Sequence, residues 1–154
     1  VHIQWGTEEG RKTELEKLAE WVKTYSKDEY RVDRDVILMG DFNIYSYESE
    51  LYRTVSQHGL QAPAKIIKSK FGSNLERDKR YDQILHLPVQ TGSVFTDCGG
   101  VLDFYNDGHS KIKPYKELTK NEFTYEISDH LPLWIQLNID TADENIDQLI
   151  ASRK

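Results

Sequence analysis

The stretch "DVILMGDFNIYSYESE", residues 35–50, decides the fold. Val36-Ile37-Leu38-Met39 is apolar on both sides of a pleat, which is the pattern of a strand covered on both faces. Gly40 follows, and then Asp41 and Asn43. On an extended strand end, residues two apart point the same way. Polar groups at the end of a buried strand are where open α/β sheets place their sites. The competing reading is a polar turn in which Asp41 and Asn43 are local caps.

Outward from this strand, the chain alternates strand and helix patterns. Val1-His2-Ile3-Gln4-Trp5 reads as a strand. Thr7-Glu8-Glu9 opens a helix over roughly residues 8–25, with Leu15, Leu18, Ala19 and Val22 on one face. Residues 26–34 are a charged loop. Leu51, Tyr52 and Val55 suit a second helix, closed by His58-Gly59. Residues 61–80 read as loop, and Tyr81 to Leu87 as a strand stopped by Pro88. Val94-Phe95-Thr96 is weakly strand-like, and Asn106-Asp107-Gly108 signals a turn. Phe123, Tyr125 and Ile127 alternate with polar residues. Leu131, Leu133, Ile135, Leu137 and Ile139 form one face of a long strand. Thr141 and Glu144 match a capping box before a short helix carrying Ile146, Leu149 and Ile150. The pattern predicts one mixed α/β unit.

Bulk properties narrow the function classes. With 154 residues, 38% of them hydrophobic, the chain can bury one real core and is not a disordered segment. No apolar run reaches the length of a membrane span. The single cysteine, Cys98, excludes an internal disulfide and a cysteine-based zinc site. It fits a reducing compartment, so a soluble, cytoplasmic protein is slightly favoured. The net charge of −6 gives no global field for nucleic acid. Residues 65–80, however, carry six Lys or Arg against Glu76 and Asp78.

Two further constellations bear chemistry. In Ser128-Asp129-His130-Leu131-Pro132-Leu133 a carboxylate and an imidazole meet at the start of an apolar strand. At such a junction Asp129 can bind a hard cation while His130 faces a phosphate; the alternative is a surface Asp-His in a turn. In Tyr81-Asp82-Gln83-Ile84-Leu85 a carboxylate interrupts an apolar strand and needs a partner if buried. A histidine is the natural one, because the carboxylate fixes the tautomer and stabilises the charged ring. On an edge strand Asp82 would instead sit in water.

Taken together, GDFN after an apolar strand, YDQIL, SDHLPLW and the N-terminal VHIQ resemble the endonuclease/exonuclease/phosphatase superfamily. That superfamily includes pancreatic deoxyribonuclease, abasic-site endonucleases, neutral sphingomyelinases and inositol polyphosphate 5-phosphatases. The resemblance spans residues 1–139. It implies a four-layer α/β-sandwich with mixed or antiparallel sheets and helices outside. It also implies Mg²⁺- or Mn²⁺-dependent phosphoester hydrolysis of phosphodiesterase or nuclease type. By resemblance, Asp41 aligns or deprotonates the attacking water and Asn43 steadies it. Asp82 holds the catalytic His130, Asp129 is a metal ligand, and His2 contacts the phosphate. Asp41 and Asn43 are further candidates at the metal.

The resemblance further implies an asparagine near the family's N-terminus and a glutamate as principal metal ligand. Neither has a matching context here. Residues 1–154 are therefore expected to form a single partial domain, the C-terminal half to two-thirds of the family fold, inactive alone and prone to self-association. The basic stretch, with Lys68, Lys70, Arg77 and Lys79, is expected either to contact substrate phosphate or to be a solvated loop. The substrate could be a nucleic acid, a phospholipid head group or an inositol phosphate. The alternative class is a non-catalytic binding module on the same fold, holding a phosphorylated ligand or a partner protein.

Overall fold

A computed structural model describes residues 1–30, 35–107 and 117–138. The first helix, α1, runs Glu8–Lys27. Thr7 caps it by accepting from the Gly10 N–H, and Glu8 and Glu9 lie in its positive first turn. Its apolar stripe buries Leu15, Ala19 and Val22 completely. The helix α2, Glu50–Gln57, is capped by the Ser49 hydroxyl and ends at Gly59, whose φ is 94°. Both helices pack into one core with Ile3, Leu38, Phe42, Ile44, Leu60 and Leu85.

Beneath this helical layer, β1 (Ile37–Asp41) pairs antiparallel with β2 (Asp82–His86). The register sets Leu38 opposite Leu85 and Asp41 opposite Asp82. A second antiparallel sheet joins β3 (Phe95–Val101) to β4 (Leu133–Leu137), with a register irregularity between Phe95 and Gly99. The two sheets share an apolar cleft of about 240 Å³, lined by Ile37, Met39 and Ile84 on one side and Phe95, Leu133, Ile135 and Leu137 on the other. Short helices α3 (Ala64–Ile67), α4 (Pro88–Thr91) and α5 (Phe104–Asp107) occupy the connections. A smaller core gathers Leu75, Phe123 and Leu131 beneath α6 (Lys120–Glu126). The protein is thus a mixed α/β domain with two small antiparallel sheets.

Several expectations from the sequence need correction. The N-terminal segment is not a full strand. It meets β1 in one parallel bridge, His2 with Asp41, where the Ile3 N–H donates to the Asp41 carbonyl at 2.8 Å. Gly40 makes this approach possible: a Cβ there would overlap the Val1 backbone, and its φ of 145° suits only glycine. The β1 strand is not covered on both faces. Leu38 is buried against the helices, but Met39 is 62% exposed because the opposite sheet leaves the cleft open. The alternating run Phe123–Ile127 is a helix. A capping box between Thr119 and Glu122 nucleates it, and only Phe123 is buried. Residues 61–80 contain the helix α3, and the turn signal at Asn106-Asp107 lies at a one-turn helix. The last strand is Leu133–Leu137, shorter than its apolar face. Ile139 and the helix expected after it lie outside the described residues, as do residues 31–34. Among the described residues, no helix is long and apolar enough to cross a membrane.

Candidate active site

The register of the first sheet places two carboxylates directly opposite each other, Asp41 ending β1 and Asp82 opening β2. Like charges so placed repel unless each is compensated. Each faces an imidazole. Asp82 Oδ2 lies 2.7 Å from His130 Nδ1. Asp41 Oδ2 lies 3.8 Å from His2 Nε2. The Asp82–His130 pair is the tighter and the more enclosed, with both side chains under a third exposed. An ionised carboxylate can only accept, so Nδ1 carries the proton and donates to Asp82. The other ring nitrogen, Nε2, is left for a ligand.

Charge follows from this geometry. The Asp82 hydrogen bond holds the His130 imidazole above its ordinary pKa. Burial opposes the shift, and the negative charges of Asp82, Asp129 and Asp41 add to it. By contrast, His86 is a core histidine. Burial pushes its pKa down, and its Nδ1 contacts Thr91 Oγ1 at 2.9 Å.

A hairpin-like loop, residues 72–79, stitches the pair in place. The Asp82 N–H donates to Ser73 Oγ at 3.0 Å, and the Leu131 N–H donates to the Ser73 carbonyl at 2.6 Å. The Leu75 N–H donates to the Asp129 carbonyl at 3.2 Å. One serine therefore touches the chain on both sides of the Asp82–His130 contact. Gly72 packs so close to Lys79 that a Cβ would overlap its backbone. The Asn74 side chain closes the loop by accepting from the Asp78 and Lys79 N–H groups.

Asn43 sits differently from the expected extended geometry. Strand β1 ends at Asp41, and Asn43 adopts φ 51°. Its N–H donates to Asp41 Oδ1 at 2.8 Å, and its Nδ2 donates to the Ile3 carbonyl at 2.6 Å. The two oxygens of Asp41 are used differently. One oxygen caps a local turn, and the other faces His2. Asn43 is buried and ties down the segment that carries His2.

The basic residues are dispersed. The Arg77 guanidinium pairs with Asp103 at 2.9 Å and lies over the Phe71 ring. Lys79 pairs with Asp78 at 3.6 Å. Lys68 and Lys70 line a separate cleft with Lys65, Asp97 and Gly99. Among the described residues, Glu16, Glu20 and His58 bring three ligand atoms within 4.8 Å of one another, on the helices and away from the paired histidines. Asp41, Asp82 and Asp129 form no such three-ligand group.

Sequence reasoning missed three residues that shape the site. Ser73 gave no signal beyond loop composition. Tyr81 and Trp5 sat inside quoted motifs, and their aromatic character beside Asp82 and His2 was the available signal. Their rings meet edge to face at 6.3 Å, and Tyr81 in turn lies 5.9 Å from the His130 ring. Compared with known proteins, the chain matches no family model and no curated sequence.

Proposed function

We propose that the protein is a metal-dependent phosphoester hydrolase of the endonuclease/exonuclease/phosphatase type. The observation that carries this reading is the Asp82–His130 pair beside Asp41 and His2 at one end of a sheet. Two carboxylates on adjacent strands, each facing an imidazole from a neighbouring segment, make a site that can grip a phosphoryl group and manage a proton. In this reading the two small sheets and the outer helices are part of a four-layer sandwich.

His130 is the central residue. Asp82, accepting from Nδ1, raises its pKa and so favours the charged ring. We therefore read it as a positively charged donor from Nε2 to a phosphate oxygen, with Asp82 holding the ring. Asp41 is the group that accepts a proton from, or orients, the attacking water. His2, across from Asp41, is a second phosphate contact. Asp129 and Asp41 offer hard oxygen ligands that suit Mg²⁺ or Mn²⁺. Such a cation would offset charge on the phosphate and leaving oxygens. Asn43 is a positioning residue, since its amide is committed to Ile3.

That commitment also favours the second reading, a binding module that holds a phosphorylated ligand without turning it over. Hydrolysis of methyl p-nitrophenyl phosphate with Mg²⁺ or Mn²⁺ decides between them. The enzyme reading expects metal-dependent turnover that His130→Ala lowers by about 10²–10⁴-fold. No turnover, with phosphate-ester binding that still depends on His130, shows residues 1–154 acting as a binding module. A wild-type rate matched by His130→Ala defeats the assigned site.

A further inference from the structure

We propose that Trp5 is a base-stacking platform, and that the ester this site takes is a small one bearing a nucleobase. The inference rests on the phosphoester reading above and names its substrate class.

Trp5 is 67% exposed, yet it is held. The Arg11 guanidinium lies over its ring at 4.9 Å from the centroid. Arg11 is itself nearly buried, and its Nη1 donates to the Gly6 carbonyl at 3.1 Å. On another side the Tyr81 ring meets it at 90°. An indole fixed by a buried cation and a second ring, while most of its surface stays in water, is preorganised for a flat partner. Tyr81 then leans on the His130 ring at 32° between planes. The platform is therefore two ring contacts from the phosphate-binding imidazole, a placement suited to the base of a bound nucleotide. Stacking of this kind tolerates any base.

Charge limits the size of the ligand. A long polyanion needs a row of available cations. Here Arg77 and Lys79 are paired with Asp103 and Asp78, Lys120 pairs with Glu76, and Lys65, Lys68 and Lys70 line the separate cleft with Asp97. The Arg80 guanidinium is committed to the Ser69 and Phe71 carbonyls. Near Trp5, Glu8 and Glu9 open α1, and Glu14 accepts from the Gln4 N–H. Those carboxylates repel a duplex and an anionic bilayer alike, whereas one or two nucleotides with a divalent cation carry little net charge.

The test uses residues 1–154. In the double variant Trp21→Phe, Trp134→Phe, Trp5 is the one remaining indole. Its fluorescence is titrated with thymidine 5′-monophosphate, with glycerol 3-phosphate and with phosphatidylcholine vesicles. Saturable quenching by the nucleotide and none by glycerol 3-phosphate is expected. A parallel assay compares thymidine 5′-p-nitrophenyl phosphate with methyl p-nitrophenyl phosphate. Trp5→Ala is expected to lower the preference for the thymidine ester roughly tenfold or more through KM, and Trp5→Phe to restore part of it. Quenching by vesicles alone overturns the proposal in favour of a membrane anchor. A thymidine preference that Trp5→Ala leaves intact, or no preference in the wild type, also overturns it. If neither ester is hydrolysed but the nucleotide still quenches Trp5, stacking stands and residues 1–154 bind the nucleotide without turning it over.

Discussion

At the residue scale, the Asp82–His130 contact makes stability depend on pH in a definite direction. The folded imidazole titrates above its ordinary value of about 6.5, chiefly because Asp82 accepts its proton. The contribution of the pair is then fully present below about pH 6.5 and is lost as pH rises through the raised folded value. Asp82→Asn removes the charge and keeps the shape. The wild-type advantage over this variant in urea unfolding is expected to be larger at pH 5.5 than at pH 9. The His130 ring proton titration, followed by NMR, is expected to move down in Asp82→Asn. An unchanged midpoint would mean that Asp82 does not hold the ring in solution. The need for a partner was legible from a carboxylate in an apolar strand, and the family resemblance pointed to His130 as that partner. The fate of Asn43 was not legible. Its φ of 51° breaks the extended geometry on which the same-side argument depended, and only the distant Ile3 carbonyl explains why.

At the element scale, legibility followed the strength of the local signal. Helix α1 declared itself through capping, charge and a four-residue apolar stripe, and those three levels agree in the structure. Helix α6 did not, because Phe123, Tyr125 and Ile127 alternate as a strand does, and in the helix Phe123 is buried while Tyr125 lies in solvent. The deciding signal was present nearby: Thr119 and Glu122 at capping-box spacing. Thr119→Ala is expected to destabilise the protein by about 1 kcal/mol in chemical denaturation. Since α6 packs on Leu75, within the loop 72–79, and on Leu131, next to His130, the same variant should also loosen the site. Faster amide exchange at Leu131 would register that, and wild-type exchange there would show that the cap acts on the helix alone. The β1 strand was misread for the opposite reason. Its apolar run is continuous, but only tertiary structure determines whether the second face is covered.

At the scale of the whole molecule, the cleft between the sheets leaves Met39, Trp134 and Leu137 substantially exposed. Each aliphatic side chain removed from water stabilises by roughly 1.5–3 kcal/mol, so a chain of these 154 residues is expected to associate through this surface. Light scattering over a concentration series should show mass growing with concentration, and Met39→Glu should suppress it. A monodisperse monomer at every concentration would end that expectation. A different consequence follows from the slender attachment of residues 1–5. Val1 and Ile3 donate to the carbonyls of Met39 and Asp41, and Asn43 holds the Ile3 carbonyl. His2 and Trp5 ride on that one short strap, separated from β1 in the chain by the whole of α1. Detaching it would break those hydrogen bonds and uncover Ile3, which is buried in one core with Leu15, Ala19 and Val22. His2 and Trp5 therefore share one anchorage: Asn43→Ala, which frees the Ile3 carbonyl, is expected to displace both side chains together while the Asp82–His130 contact stays.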